Sequence, residues 1–461
     1  MKIRMVVGSI ALFAGCSSSV PTPAPVCTPP TLVGAACCDG GLCGVGLQCM
    51  ANVCKAALAS SCSASGDCAA GVCTGNKICE ILPTCTDSKR NGDETDTDCG
   101  GTCPRCGNSS VCAGNADCAS LHCRKGKCVA PGWLIGSGGD SKSVGLATVF
   151  ADELYDPVAI GFNPNASGEL WIANRSDDSL TIATGVVGKA PKSIFHYVDA
   201  QFHFLEKVSA ISFSDDGNFA TCGDSRNDYS GQDVANDFMG PVEWPASLAE
   251  FEKFGPDASM VHLDMMHDTP NCSGIASAGG TNYFVFNGIL GAIDWYDFGK
   301  PHEHGGTNHT DGAKKRYKGL GLKRVAAVPS HLALDKKSGW LYIADTGHGR
   351  VMRLDTKTGK SAELIELYAD EVKMQVLVGA KIEVVLEGLK QPSGLVIFED
   401  FLYISDAKTG IITAISLDGS QTSSLDTQLP AGALAGMAVG PDDRLYFCDR
   451  LGPRIVRVDL P

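Results

Sequence analysis

This 461-residue sequence has no long cluster of basic residues. Its 38 Lys and Arg are outnumbered by 52 Asp and Glu, which leaves a formal net charge of −14. Because binding to nucleic-acid phosphates requires a concentrated basic surface, nucleic acid is excluded as an expected partner. The chain also lacks the GxSxG, HExxH and phosphate-loop motifs, so the sequence signatures of several common enzyme classes are absent.

Long apolar runs are missing as well. The run Met5–Phe13 is too short to span a hydrocarbon core of about 30 Å at about 1.5 Å per residue. It follows Lys2 and Arg4 and precedes small residues and a cysteine, a pattern typical of a secretory signal. We therefore predict a signal peptide over residues 1–15 and a mature chain that begins at Cys16.

The end of this segment, "LFAGC", resembles a bacterial lipobox. In lipoproteins the cysteine of the lipobox carries acyl chains, so the resemblance implies a protein that Cys16 anchors in the cell envelope, here the outer membrane. Cleavage of the signal without lipid attachment is the alternative. Residues 16–26 are rich in Ser and Pro and lack the side chains of a core, which predicts a short extended tether.

Cysteine is nearly absent after residue 130, yet 19 of the 22 cysteines precede it. Residues 27–130 hold few large apolar side chains, so an ordinary core is not expected there. Because an exported chain meets oxidising conditions, we predict disulfide-bonded modules over this region. The spacing of Cys103 and Cys106 also fits a zinc site, which is the alternative for that pair.

An internal repeat runs through this region, because "GDCAAGVCTGNKIC" is answered by "ADCASLHCRKGKC". The segment "NGDETDTDCGG" resembles Cys-rich segments of secreted proteins from myxobacteria and their relatives. Its carboxylates suit either a calcium site, through hard oxygen ligands, or a solvated acidic turn. The carboxylates belong to Asp93, Glu94, Asp96 and Asp98.

From residue 131 the pattern changes to alternating apolar strands separated by Gly/Asp turns. Six units follow at a spacing of about 40 to 65 residues, which is typical of propeller blades with loop insertions. We therefore predict an all-β fold, a six-bladed β-propeller over residues 131–461, preceded by small disulfide-rich modules. The units begin at Asp156, Lys207, Cys272, Ser330, Ser393 and Leu434.

Three units carry a recognisable motif. The segments "LYIADTGHGRVMRLD", "LYISDAKTGIITAISLDG" and "LYFCDRLGPRIVRVDL" resemble the NHL repeat and its strand–Asp–turn–Arg pattern, although Ile replaces Arg in the second of them. The resemblance covers most of residues 131–461 and implies six blades. Because the last unit ends after three strands, a fourth must come from elsewhere, and we expect Gly132–Ser137 to supply it.

Several polar residues are expected at one end of the propeller. The inner strands start at one face, here named the top face, and the turns between second and third strands return to it. Such turns bring Arg175, Arg226 and Tyr229 to the top face as candidate catalytic residues. The two guanidinium groups suit bidentate binding of a substrate carboxylate.

The same face collects candidate metal ligands. The segment "VPSHLALD" resembles the inner-strand starts of peptidylglycine amidating lyase, a propeller family in which three histidines hold zinc. The resemblance implies that His331 and His267 bind a metal, with His348 or Asp224 completing the set. A histidine hydrogen-bonded in the channel wall is the alternative for His331.

A second histidine-rich stretch, "KPHEHGGTNHTDG", follows a third strand, so we expect it on the face opposite the top face. It suits either a metal site or a solvated Gly-rich loop. Its candidate ligands are His302, His304, His309 and Asp311.

The three late cysteines invite one pairing. Cys222 and Cys272 are expected at the top of adjacent blades, and a Cα separation of about 4.4–6.8 Å would accompany a disulfide between them. Cys448 would then stay unpaired.

Two functional hypotheses follow. The first is an exported, lipid-anchored monomer whose top face binds a small ligand or an extracellular protein. The second is a propeller lyase or hydrolase with zinc or another divalent metal at the central channel. Propellers host both kinds of function, so the fold does not choose between them.

Overall fold

The structure, a computed structural model, divides into two compact units, Met1–Ala119 and Ser120–Pro461. Among the residues that it describes, no helix has both the length and the apolar character needed to cross a membrane. The described residues are 32–38, 42–57, 59–69, 72–73, 75–80, 85–136, 144–187, 190–227, 238–300, 302–306, 310–367 and 372–460.

Disulfide bonds hold the first unit, as its cysteine content predicts. Apart from Ala56, the buried apolar residues described in this unit are all cysteines. Cys103 and Cys106 bond to different partners, so the zinc alternative for this pair is wrong. The bonds include Cys37–Cys49, Cys43–Cys54, Cys62–Cys73, Cys68–Cys79, Cys85–Cys103 and Cys99–Cys106. The short strands are β1 (Leu47–Met50), β2 (Val53–Ala56), β3 (Val72–Cys73) and β4 (Cys79–Glu80).

The internal repeat corresponds to a shared turn. In each copy a 3₁₀ turn ends on an aspartate, Asp67 or Asp117, whose Oδ2 accepts hydrogen bonds from two backbone N–H groups. The carboxylates of the acidic segment also accept backbone hydrogen bonds, three of them from residues 9 to 15 positions away in the chain. These carboxylates are those of Asp93, Glu94, Asp96 and Asp98.

The second unit is a six-bladed β-propeller, as the six sequence units predict. Six antiparallel sheets form the blades, and their inner strands neighbour one another in a closed ring. A hairpin of β5 (Cys123–Arg124) and β6 (Lys127–Cys128) precedes the ring. Each sheet buries both faces on its neighbours, which explains the near-continuous burial of the middle strands.

The blades follow the chain in order. Blade 1 comprises β8 (Pro157–Phe162), β9 (Leu170–Asn174), β10 (Ser179–Thr184) and β11 (Ser193–Val198). Blade 2 comprises β12 (Val208–Phe213), β13 (Asn218–Gly223), β14 (Val242–Pro245) and β15 (Asp264–Met265). Blade 3 comprises β16 (Ile275–Gly279), β17 (Asn282–Asn287), β18 (Ala292–Asp297) and β19 (Ala313–Tyr317).

The remaining blades contain one insertion. Blade 4 comprises β20 (Leu332–Asp335), β21 (Trp340–Asp345), β22 (Arg350–Asp355) and β25 (Ile382–Leu386). The inserted strands β23 (Lys360–Ile365) and β24 (Met374–Val378) extend blade 3 instead, because β24 pairs in parallel with β19. Blade 5 comprises β26 (Pro392–Phe398), β27 (Phe401–Asp406), β28 (Ile411–Ser416) and β29 (Thr422–Asp426).

Blade 6 closes the ring with a strand from before blade 1. It comprises β30 (Leu434–Val439), β31 (Leu445–Asp449), β32 (Arg454–Asp459) and, paired with β32, β7 (Gly145–Phe150). The expectation that Gly132–Ser137 supplies this strand is wrong. Gly132 has a φ of 63°, and Trp133–Ile135 form a 3₁₀ turn whose apolar side chains pack on blades 5 and 6.

Among the described residues, an α-helix, α1 (Leu248–Phe254), lies between β14 and β15. Its single buried residue, Phe251, packs edge-on against Trp171 of blade 1 at 5.1 Å between ring centroids. The aromatic contact packs the helix against blade 1.

The aspartate at the end of the second strand caps the turn that follows it. Asp345 accepts a hydrogen bond from Arg350 Nε at 2.7 Å, and Asp449 accepts one from Arg454 Nε at 2.9 Å. Asp406, whose unit lacks the arginine, accepts backbone hydrogen bonds instead. The strand–Asp–turn–Arg spacing is therefore a local hydrogen-bonding device.

Candidate functional site

A cavity of about 750 Å³ lies inside the ring of inner strands and is lined by all six of them. Its lining includes the turns that follow the inner strands, at Asn163, Lys336 and Pro441. The mouth of this channel cavity is therefore on the face opposite the top face. The sequence-based expectation of a binding site on the top face does not match the position of this cavity.

His331 closes the other end of the channel cavity. It occupies a position at which the other five blades carry only Ala or Gly. Its Nε2 lies 3.0 Å from the carbonyl oxygen of Ser209 in blade 2, and its Cε1 approaches Gly436 in blade 6, where an added Cβ would lie 3.1 Å away. Since both blades are two steps from blade 4, the imidazole crosses the channel axis. The five small residues are Ala159, Ala210, Gly274, Gly394 and Gly436.

The environment of His331 keeps the imidazole neutral. The residue is 8% exposed. Burial lowers its pKa to about 4, although the hydrogen bond to the Ser209 carbonyl opposes this shift. Because a carbonyl oxygen only accepts, Nε2 carries the proton and donates it. His331 is thus hydrogen-bonded in the channel wall, the alternative to a metal ligand.

A segment of chain that includes residues 324–327 crosses the top face above His331. Asp224 of blade 2 accepts hydrogen bonds from Arg324 Nη1 at 2.7 Å and from the Ala327 backbone N–H at 3.0 Å. Arg450 of blade 6 donates to the Ala327 carbonyl at 2.8 Å and makes a bidentate ion pair with Asp156. These contacts anchor the segment to blades 2 and 6, which flank blade 1, and they cover the channel on this face.

Of the three candidate catalytic residues, Arg175 forms an ion pair with a carboxylate of the propeller itself. Arg175 Nη2 lies 3.4 Å from Asp224 Oδ2, so this guanidinium shares a carboxylate that Arg324 already binds more closely. Arg226 lies in the turn after β13 and is partly buried. Tyr229 lies outside the described residues.

The four predicted metal ligands do not come together in this structure. His331 lines the channel cavity, whereas Asp224 binds the segment above it. His348 Nδ1 lies 3.0 Å from Asp345 and helps to cap its own turn. His267 lines a separate cavity of about 510 Å³ and packs against Phe238 at 3.9 Å between ring centroids.

The separate cavity contains two histidines that no sequence motif indicated. His203 and His262 line it together with His267. Burial lowers the pKa of both His203 and His262, so these imidazoles are neutral near pH 7. Among the described residues, every group of three or more potential ligands within 4.8 Å consists of cysteines, with Glu94 in one case.

The candidate ligands described in the second histidine-rich stretch do not all lie together. His302 Nε2 lies 3.3 Å from Asp311 Oδ1, so these two predicted ligands do meet. His304 points elsewhere, with its Nε2 3.6 Å from Glu250 of helix α1. His309 lies outside the described residues.

The predicted cysteine pair is bonded in the structure. Cys222 and Cys272 join blades 2 and 3 with a Cα separation of 5.7 Å, inside the expected range. Cys448 is a buried free thiol, and burial raises its pKa far above the usual range. Cys16, the predicted lipidation site, lies outside the described residues.

The rim of the channel cavity is aromatic and partly charged. Phe162, Phe213 and Phe398 stand at the ends of three inner strands and line the mouth. Lys336 lies there too, 3.4 Å from the exposed carboxylate of Asp215. No motif marks these residues, and the only sequence signal is their position at the end of each inner strand.

Comparisons with known proteins add no functional statement. No protein-family profile and no curated protein matches the chain. Matching solved structures include an auxiliary nutrient binding protein from Bacteroides thetaiotaomicron VPI-5482, with 12% identity over 68% of this chain and 76% of that chain and a TM-score of 0.45. Virginiamycin B lyase from Staphylococcus aureus matches with 12% identity over 69% and 99% of the two chains and a TM-score of 0.40. The strand pairing described above, rather than these similarities, establishes the propeller.

Proposed function

We propose that this chain is an exported binding protein whose propeller takes a small, largely apolar ligand in the channel cavity. The observation that carries the proposal is a single cavity wall built by all six inner strands and closed at one end by His331. A volume of about 750 Å³ falls within the range of small-molecule sites in proteins.

The lining favours an apolar ligand with one polar end. Leu332, Leu395 and Met437 lie along the walls, and the imidazole of His331 at the closed end is neutral. The ammonium group of Lys336 at the mouth would attract an anionic group on the ligand. The apolar part of the ligand is thus transferred from water into the channel, while its charged end stays at the rim.

The alternative of a metal-dependent lyase or hydrolase has less support. Catalysis of this kind requires about three protein ligands around one metal with an open position. The Nε2–H group of His331 donates a hydrogen bond to the carbonyl oxygen of Ser209, and His267 lines a different cavity. Neither arrangement presents a shared metal site at the channel.

Export and lipid anchoring are part of the proposal. The disulfide bonds of the first unit support an oxidising compartment such as the cell envelope. Acyl chains on Cys16 would hold the protein on a membrane, with residues 16–26 as tether. Expression of the whole chain with labelled palmitate tests this anchor. Label in the wild type and none in Cys16→Ser would support it, and an unlabelled wild type would contradict it.

A fluorescent probe tests the channel site. 8-Anilinonaphthalene-1-sulfonate combines an apolar ring system with one anionic group, as the cavity lining requires. We expect one probe molecule to bind per chain. Ala333→Trp, which fills the wall of the channel cavity, should abolish binding. Ala362→Trp, the same change on the exposed strand β23, should leave it intact. Equal binding by both variants would contradict the proposal.

A further inference from the structure

Two buried carboxylates face each other at the outer edge of blade 2. Glu243 of β14 is the register partner of Asp264 of β15, so both side chains project from the same face of the sheet. Glu243 is 0% exposed and Asp264 is 1% exposed. Like charges in such an interior repel each other unless a proton or a cation lies between them.

Glu243 lacks the partners that a buried carboxylate requires. Neither of its carboxylate oxygens has a hydrogen bond of normal geometry among the described residues, although the side chain of Asn218 lies close enough to oppose the rise of its pKa. Among those residues, Glu243 also has no Lys or Arg within ion-pair distance. Because buried polar groups are nearly always paired, two unsatisfied oxygens on one carboxylate point to a group that completes the site.

An imidazole adjoins Asp264, and a third carboxylate adjoins that imidazole. His302 Nε2 lies 3.7 Å from Asp264 Oδ2 and 3.3 Å from Asp311 Oδ1. The backbone N–H of Lys300 donates to the other oxygen of Asp311 at 2.9 Å and fixes the orientation of that carboxylate. The loop that follows β18 thus brings nitrogen and oxygen donors to the edge of blade 2.

We propose that Glu243, Asp264, His302 and Asp311 bind one divalent transition-metal ion, with Zn²⁺ and Mn²⁺ as the expected ions. One imidazole with carboxylates is a ligand set that suits these ions, whereas Ca²⁺ prefers oxygen ligands alone. The ligand atoms do not all lie within 4.8 Å of one another, so binding requires rotation of at least one side chain.

The same loop provides a matched control. His304 is two residues from His302 but lies against α1, with its Nε2 3.6 Å from Glu250 and its ring 4.9 Å from that of Phe254. A histidine that merely attracts metal at the surface would behave like His304. The proposed site depends on His302 of this loop and on Glu243 of strand β14.

Calorimetric titration of the EDTA-treated, disulfide-intact protein with ZnCl₂ and MnCl₂ tests the site. We expect the wild type to bind one ion per chain at a site that CaCl₂ fills more weakly. Glu243→Gln and His302→Gln should each weaken this site at least about tenfold, and His304→Gln should leave it unchanged. A wild type without such a site, or a Glu243→Gln variant that binds as the wild type does, would overturn the proposal.

The melting temperature distinguishes a metal site from the alternative, in which Glu243 is protonated and no metal binds. In a metal-free site Glu243 would keep a proton, because burial raises the pKa of this carboxyl group to about 8. With a metal site, Zn²⁺ or Mn²⁺ should raise the melting temperature of the wild type but not that of Glu243→Gln, which should fold at least as well as the metal-free wild type. Equal shifts in both proteins would overturn the site.

Discussion

The Nε2–H group of His331 donates a hydrogen bond of 3.0 Å to the carbonyl oxygen of Ser209, which lies two blades away across the channel. A histidine in a layer of Ala and Gly therefore serves as the floor of the channel cavity. Its ring fills space that the small residues of the other blades leave open. A ligand then enters only from the face on which the inner strands end.

The neutral state of His331 predicts a specific pH dependence of stability. Its pKa of about 4 in the folded protein lies below the ordinary value of 6.5, so the unfolded chain takes up the proton first as the pH falls. The contribution of His331 to the free energy of unfolding is therefore complete above pH 6.5 and is lost as the pH falls towards 4. The total loss is about 3 kcal/mol.

Urea denaturation between pH 4 and pH 7 measures this contribution. Buried His203 and His262 act in the same direction, so the comparison with His331→Gln isolates the effect of His331. The variant should show a shallower decrease in the free energy of unfolding over this range. A wild type and variant with parallel pH profiles would show that His331 is not the buried neutral group described here.

The closing strand β7 predicts that truncations of two of its side chains differ in their effect on stability. Phe150 of β7 is 6% exposed and packs among blades 1 and 6, whereas Leu146 of the same strand is 39% exposed. Phe150→Ala should lower the free energy of unfolding by about 3–5 kcal/mol, because it leaves a cavity in the last blade. Leu146→Ala should cost less than about 1 kcal/mol. Similar losses for both variants in chemical denaturation would mean that β7 does not close the ring.

Asp224 predicts how firmly the segment above the channel is held. Asp224→Ala removes the acceptor of Arg324 and of the Ala327 N–H group, so the segment should detach and trypsin should cleave faster after Arg324. Asp215→Ala is the control, because its ion pair with Lys336 is exposed and contributes little. If the two variants are cleaved at the same rate as the wild type, Asp224 does not anchor the segment.

The disulfide between blades 2 and 3 predicts a loss of stability on its removal. Replacement of both Cys222 and Cys272 by alanine should cost about 2–4 kcal/mol, because the bond closes a long loop in the unfolded chain. Iodoacetamide should not label Cys448 in the folded protein, because its thiol is buried. Mass spectrometry of the native protein that shows labelled Cys448 or free Cys222 would contradict these assignments.

The repeating units predict the six blades because the strands and turns of each blade are determined by local sequence patterns. Alternating apolar residues form the strands, and a polar residue at the end of the second strand, such as Asp345, caps the following turn within a few residues. The closing strand is harder to predict. Both Gly132–Ser137 and Gly145–Phe150 are apolar, and the choice between them depends on packing against blades that lie hundreds of residues away in sequence.

The site is only partly visible in the sequence for the same reason. The position of His331 at the start of an inner strand predicts that it lines the channel. Its hydrogen bond to Ser209 and its contact with Gly436 depend on residues from other blades, so they decide its role without leaving a local motif. The cavity rim, with Phe162 and Lys336, uses ordinary residues at ordinary positions.

A crystal structure of the protein grown with 8-anilinonaphthalene-1-sulfonate tests the account most directly. We predict electron density for one probe molecule among the inner strands, with its rings above His331 and its sulfonate near Lys336. In that structure Nε2 of His331 should still meet the Ser209 carbonyl. Density on the top face instead, or a channel that holds no probe while the probe binds elsewhere, would contradict the proposed binding site.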